Sequence, residues 1–355
     1  MADLMSDTYQ YDSLANQYGN FRLPAVKIFI DGTDVLASMG LLLKEIQVVL
    51  SLSAASSARF KLGNVYDRKK RCFQAGLPQK FKPGTIVEIA MGYYSSTTRM
   101  MKGFVYMLGC EFGAEKLLVV TVMDVRRLMM VSGTRRVLHN AKKYSEVFQT
   151  VMSGYARLCR TEVTATEDAL ESPVSQNGTD YDFVMKELVK KGKSDREFLV
   201  VYDKAYFRPK PESGAAIMKV ELGRELLEMQ MDYTYLDMEI QVLGMNPYEQ
   251  TVYVGKAAAR SEDPQISLLS PTPVRMISDP DAGSQEKAGR RAGWIAKTEK
   301  ERSRSARLVL IGLPELVPGR FIEVAKVESM VNRSYYISEV RHQIGEEVFT
   351  SEIVC

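Results

Sequence analysis

Val26, Ile28 and Ile30 alternate with Lys27 and Phe29 and run into Asp31-Gly32, the period-two pattern of a strand entering a turn. Similar runs follow at residues 43–52, 85–91, 101–108 and 117–123, rich in valine, isoleucine and aromatic residues and separated by glycine-containing turns. That spacing predicts an all-β barrel or sandwich. After Arg135 the period changes, because Tyr144, Val147, Phe148, Val151, Met152 and Tyr155 recur at helical steps. A second helix is predicted over 179–191, with Asp180 able to cap it and Phe183, Val184, Leu188 and Val189 near one face. Short strands at 198–202 and 204–208 close this α+β segment. From 217 to 255 alternation returns, with Glu239, Gln241 and Leu243 interleaved with Ile240 and Val242. Residues 261–282, rich in proline, serine and aspartate, read as a loop. A helix over 284–304 then leads into a last β block, 307–354. Residues 1–20 lack a sustained period and read as a flexible or partner-ordered arm.

An internal echo joins the two β regions. Phe81-Lys82-Pro83-Gly84-Thr85-Ile86-Val87-Glu88-Ile89 returns as Leu316-Val317-Pro318-Gly319-Arg320-Phe321-Ile322-Glu323-Val324, with Pro-Gly and the following Glu at the same offsets. In each copy Pro-Gly sets a tight turn, its glycine free to take a positive φ, and launches a strand with one Glu between apolar neighbours. Pro-Gly turns before strands are common, so coincidence is one reading. The other is duplication, and it predicts a mainly β chain with two similar tube-like β-barrel domains and an inserted α+β domain. The expected divisions are an arm at 1–20, a first barrel at 21–135, the α+β insertion at 136–210, a second barrel built from 211–260 and 306–355, and a loop-and-helix insertion at 261–305. The two barrels should superpose, Glu88 on Glu323. A trimer of such chains would present six similar units around one axis, able to meet a six-fold ring on one side and a three-fold object on the other.

Composition narrows the chemistry. Hydrophobic residues make up 45% and charged residues 26% of 355, an ordinary balance for a folded chain in water. No apolar run approaches the ~18–20 residues of a membrane span, and the polar, acidic start is unlike a signal peptide, so synthesis in the cytoplasm is expected. Cys72, Cys110, Cys159 and Cys355 lie far apart without C-x-x-C spacing and read as reduced thiols, mostly buried. The two histidines, His139 and His342, have no metal-ligand spacing; His342 reads as a packing or hydrogen-bonding residue and His139 as a surface one. No nucleophile elbow, phosphate loop or dinucleotide fingerprint occurs. No catalytic residue, cofactor or metal is expected. Carboxylates are numerous enough for a lysozyme-like pair, which leaves a peptidoglycan hydrolase as the alternative, but no pair stands out. The net charge of +3 does not suggest a dedicated nucleic-acid binder. The helix with Lys287, Arg290, Arg291, Lys297, Lys300, Arg302, Arg304 and Arg307 also carries Glu286, Glu299 and Glu301, and reads as solvated or subunit-facing. Arg68, Lys69, Lys70 and Arg71 follow Asp67 on an expected loop and suit an acidic protein rim better than DNA.

Gly-Leu-Pro-Glu-Leu-Val-Pro-Gly-Arg-Phe-Ile-Glu-Val at 312–324, followed by Ser-Tyr-Tyr-Ile-Ser-Glu-Val-Arg-His at 334–342, resembles the signature of the phage late control gene D family. Gly178-Thr179-Asp180-Tyr181-Asp182-Phe183, Tyr206-Phe207-Arg208-Pro209 and the stretch from Gly223 to Val242 are similar to its middle section. The resemblance covers roughly 20–355. It implies a trimeric baseplate hub, related to the hub portion of type VI secretion spike proteins, located in an assembled tail particle. Its implied partners are a second and third copy of the chain, the tail-tube ring, the central spike and other baseplate proteins, with no membrane and no specific nucleic acid. Such spike proteins continue into a needle; this sequence stops at Cys355, so the needle is expected on another polypeptide.

Overall fold

The computed structural model describes residues 3–138, 141–166, 170, 173–189, 196–246, 250–261, 268–280, 282–345 and 348–355. His139 lies outside them. The chain divides into two units, one of 1–189, 196–229 and 307–355, the other of 190–195 and 230–306. These divisions differ from the expected ones: 237–260 groups with 284–306 in its own unit, while the α+β segment shares a unit with the first β region.

The fold is mainly β. In the first unit, alternating apolar positions drive an extended sheet whose strands run in the order Arg304–Ile311, Val348–Val354, Glu339–Gly345, Leu42–Ser51, Ser57–Gly63, Lys116–Met123, Ser96–Phe112, Ile86–Tyr93 and Pro24–Ile30, with Leu226–Tyr233 and Thr33–Asp34 at its two ends. Ile46 and Val48 stand opposite Phe60 and Ala58, which in turn stand opposite Val120 and Val122, all buried. The first and last β blocks are one sheet, because Val340, Arg341 and His342 pair with Leu50, Val49 and Val48.

The two Pro-Gly copies do not occupy equivalent places, which corrects the expected superposition. Gly84 and Gly319 both take positive φ, 90° and 83°. Ile86–Tyr93, however, lies in the large sheet between two antiparallel neighbours, whereas Phe321–Ala325 lies in a separate three-stranded sheet, parallel to Ala216–Glu221 and antiparallel to Ser334–Tyr336. Glu88 faces Lys102 across its ladder; Glu323 faces Lys219 and Ser334. A nine-residue likeness encodes a turn and a strand, and the strand's partners come from elsewhere in the chain.

The α+β segment packs the helix Tyr144–Met152 on the sheet of Arg160–Val163, Lys204–Pro209 and Arg196–Val201. Phe148 stacks on Phe207 at 4.7 Å, and Val147, Val151 and Met152 join Phe183, Val184, Phe198 and Val200 in one core. Thr179, rather than Asp180, caps the next helix by accepting from the Asp182 amide. Asp180 instead accepts from Tyr155 Oη at 2.6 Å and Gln176 Nε2 at 2.5 Å.

In the second unit, Asp237–Asn246 pairs with Thr251–Arg260 and, in parallel, with Val274–Ser278. The last of these strands falls within the stretch expected to be loop. Ser284 caps the helix Gln285–Arg302, whose Ala288, Ala292, Ile295 and Ala296 bury against Ile240, Val242 and Ala259.

The arm is also ordered. Tyr11–Gln17 is a helix, and Leu4, Leu14 and Tyr18 are buried against the chain itself, where a flexible or partner-ordered arm was expected.

Candidate functional site

The residues that carry the family resemblance meet in one place. Residues 312–320 form an irregular segment in which Leu313, Leu316 and Val317 are fully buried. Buried backbone outside helices and sheets needs partners for its amides and carbonyls. Here they are supplied from five other segments. The Gly312 amide donates to the Phe349 carbonyl, and Tyr93 Oη donates to the Gly312 carbonyl at 2.9 Å. The Leu313 amide donates to Ser351 Oγ at 3.0 Å. The Gly319 amide donates to the Ile337 carbonyl, and Arg208 Nη2 donates to the Gly319 carbonyl.

His342 closes this ring of contacts. Its Nε2 lies 3.0 Å from the Leu316 carbonyl, which can only accept, so Nε2 carries the proton and Nδ1 accepts from Ser351 Oγ at 2.8 Å. Burial pushes the imidazole down to about 4 from its ordinary 6.5. The unfolded chain therefore takes up this proton first as pH falls, and the stability present above pH 6.5 is lost progressively towards pH 4, by about 3 kcal/mol. Nearby Glu315, pushed up by burial, works in the opposite sense. The difference in urea-unfolding free energy between the protein and a His342→Gln variant isolates the histidine: the gap should narrow as pH drops from 7 to 4. A constant gap would refute a neutral, buried His342.

Two more groups tie the segment to its surroundings. Glu315 accepts from Tyr18 Oη of the arm and lies 3.4 Å from Thr98 Oγ1. Arg320 Nη1 and Nη2 donate to the Leu4 and Asp7 carbonyls, 2.9 Å each, so the arm is held by its backbone. Arg208 also pairs with Glu197 at 2.8 Å, and Glu197 accepts from Tyr336 Oη. Burial raises the Glu197 carboxyl, against the lowering pull of Tyr336 and Arg208. Glu197 is bonded through both carboxylate oxygens and Glu315 through Oε1, its Oε2 being buried without a hydrogen-bond partner, and these contacts make the cluster a clamp. Arg208, Glu315, Gly319, Arg320 and His342 are letters of the motifs that carry the resemblance, which give no sign that they converge; Glu197 and Ser351 lie outside those motifs.

Of the other candidates, Glu88 accepts from Tyr202 Oη at 2.8 Å and pairs with Arg99 at 3.2 Å, tying the large sheet to the α+β segment. Glu323 makes an exposed ion pair with Lys219 at 3.3 Å. Pro83 and Pro318 precede the two positive-φ glycines. Arg68, Lys69, Lys70 and Arg71 form the exposed tip of a hairpin between Tyr66–Asp67 and Cys72–Phe73, away from the clamp in sequence and bonded to none of it. Among the described residues, no group of three His, Cys, Asp or Glu could hold a metal ion, and no helix is long and apolar enough to cross a membrane.

No curated protein matches the sequence. Among solved structures, a tail protein from Neisseria meningitidis MC58 is similar with a TM-score of 0.70 at 9% identity, covering 94% of this chain and 96% of that one. The 43 kDa tail protein of prophage MuSo2 from Shewanella oneidensis gives 0.69 at 12% identity, over 93% and 97%. The E. coli c3393 protein, a component of the type VI secretion system with structural similarity to bacteriophage T4 tail proteins gp27 and gp5, gives 0.53 at 10% identity, over 92% and 76%. The chain thus shares the fold of these tail proteins over more than nine-tenths of its length, and by a family match over residues 20–346 it belongs to the family described as the Alg8 N-terminal domain.

Proposed function

We propose that this protein is a structural, non-enzymatic baseplate hub of a contractile tail, of the late control gene D kind, which works as a homotrimer and joins the tail-tube ring to the central spike. The carrying observation is the correspondence with two tail proteins, one of them from a prophage, over more than nine-tenths of this chain and of each of those two. The clamp supports it, since the letters of the resemblance at 206–209, 312–324 and 334–342 are the residues that hold residues 312–320 and the arm in place. The proposal rests on that correspondence and not on internal duplication, because the two Pro-Gly strands have different neighbours. The fitting location is the assembled tail particle, with tube, spike and other baseplate proteins as partners.

The test is a mass measurement by light scattering, alone and with the tube and spike proteins of the same particle. We expect a species of three times the 40.0 kDa of one chain, formed alone or on the spike. A chain that stays monomeric at all concentrations and binds neither protein would remove the hub reading. Clearing of peptidoglycan by purified protein, abolished by neutralising one carboxylate, would favour the hydrolase instead.

A further inference from the structure

The 66–73 hairpin combines two features that recognise one kind of ligand. Its tip carries Arg68, Lys69, Lys70 and Arg71, all exposed. Asp67 is the acid beside them, and only Lys70 approaches it, at 3.9 Å; Arg68, Lys69 and Arg71 have no ion-pair partner among the described residues. The neighbouring acids are already matched: Glu115 pairs with Lys44 at 2.8 Å, and Glu111 with Lys61 at 3.4 Å and Arg59 at 3.8 Å. The hairpin therefore holds uncompensated positive charge next to a neutralised surface.

The tip is also preorganised. Asp67 Oδ1 accepts from the Lys69 and Lys70 amides at 2.9 and 3.0 Å, and the Gln74 amide donates to the Val65 carbonyl at 2.9 Å. At its base, Tyr66, Phe73 and the half-exposed Phe112 pack with ring centroids 5.5–5.9 Å apart. They line a groove of about 390 Å³ together with Arg71, Cys72, Gln74, Pro78 and Gln79. Tyr66 meets both phenylalanines edge to face and the two phenylalanines are tilted by 56°, so no two of the three rings are parallel and the space between them is a cleft.

We propose that this hairpin is a docking surface for an acidic protein segment that places one apolar side chain in the aromatic groove and its carboxylates against the four cations. Charge matching orients the segment and speeds its arrival, the buried side chain slows its departure, and the fixed turn lowers the ordering cost. The proposal stands on the hairpin itself and does not depend on the tail reading.

Fluorescence anisotropy with three labelled probes tests it: a short peptide of aspartate and glutamate around one phenylalanine, the same peptide with serine for the phenylalanine, and single-stranded oligothymidylate. The phenylalanine peptide should bind saturably and more weakly as salt rises, and the serine peptide should bind about tenfold more weakly. Lys69→Glu/Lys70→Glu should lower affinity for the phenylalanine peptide by about tenfold or more and flatten its salt dependence. Phe112→Ala should lower affinity and keep the salt dependence. These positions are exposed, so unchanged melting curves will confirm that the variants fold. Equal binding of the two peptides, tighter binding of the oligonucleotide, or no saturable peptide binding would each overturn the proposal.

Discussion

Replacing Asp124 by alanine is expected to destabilise the first unit by about 3–5 kcal/mol, because it strands a charged guanidinium in the interior. Arg126 is fully buried and its side chain is satisfied by four bonds: Nε and Nη2 to Asp124 Oδ2 at 2.9 and 2.7 Å, Nη1 to the Ser51 carbonyl at 2.7 Å, and Nη2 to Ser56 Oγ at 2.8 Å. Asp124 also accepts from the Ser56 amide and caps the helix Val125–Met129. That helix sends Val125 and Met129 into the core of the α+β segment, so the pair fixes the corner between the large sheet and the segment that follows it. Desolvation makes an ion pair of this kind a poor net stabiliser, but it makes removal of one partner severe. The double variant Asp124→Ala/Arg126→Met should therefore be more stable than Asp124→Ala alone. Urea unfolding of both variants gives the comparison. If the double variant proves the less stable, the buried charge is not the source of the loss.

Strands rich in apolar and β-branched residues were legible: Ile86–Tyr93 and Lys116–Met123 fall within two residues of the runs that predict them. The long helix was legible from Ser284, its cap, and from its charged face. Alternation names a strand's buried face and says nothing of its partner, so it could not reveal that Glu339–Gly345 pairs with Leu42–Ser51 and joins the first and last β blocks. Val274–Ser278 escaped notice because its Val274 and Met276 are exposed and its flanks are rich in turn residues. The arm escaped for a different reason: Arg320 grips the carbonyls of Leu4 and Asp7, and backbone capture leaves no side-chain pattern at the captured residues. The clamp was half visible, since its motif residues were quoted and its convergence depends on contacts between distant segments. Asp124 was visible in principle, as an acidic cap followed by Val125, Leu128 and Met129 at helical spacing.

In the second unit, Gly255→Ala is expected to cost about 3 kcal/mol or more, at or beyond the upper end of the range for overpacked cores. The helix Gln285–Arg302 lies on its sheet through small residues: Ala288, Ala292 and Ala296 on the helix, and Gly255, Ala257 and Ala259 on the strand. A Cβ built on Gly255 would stand 2.0 Å from the Ala288 carbonyl oxygen and 2.1 Å from its carbon. Both atoms are helix backbone, which cannot rotate away as a side chain could, so the helix must lift and its buried face must lose contact with Ile240 and Val242. Gly293→Ala supplies the control. That glycine is on the exposed side of the same helix with nothing within 4 Å of its would-be Cβ, so alanine there should stabilise by about 0.5–1 kcal/mol through helix propensity alone. Hydrogen exchange reads both outcomes by region. Gly255→Ala should strip protection from the amides of 237–246, 251–260 and 285–302 while those of 42–63 and 116–123 keep theirs, because the two sets belong to different units. Unchanged protection over 285–302 would mean that the helix does not rest on Gly255.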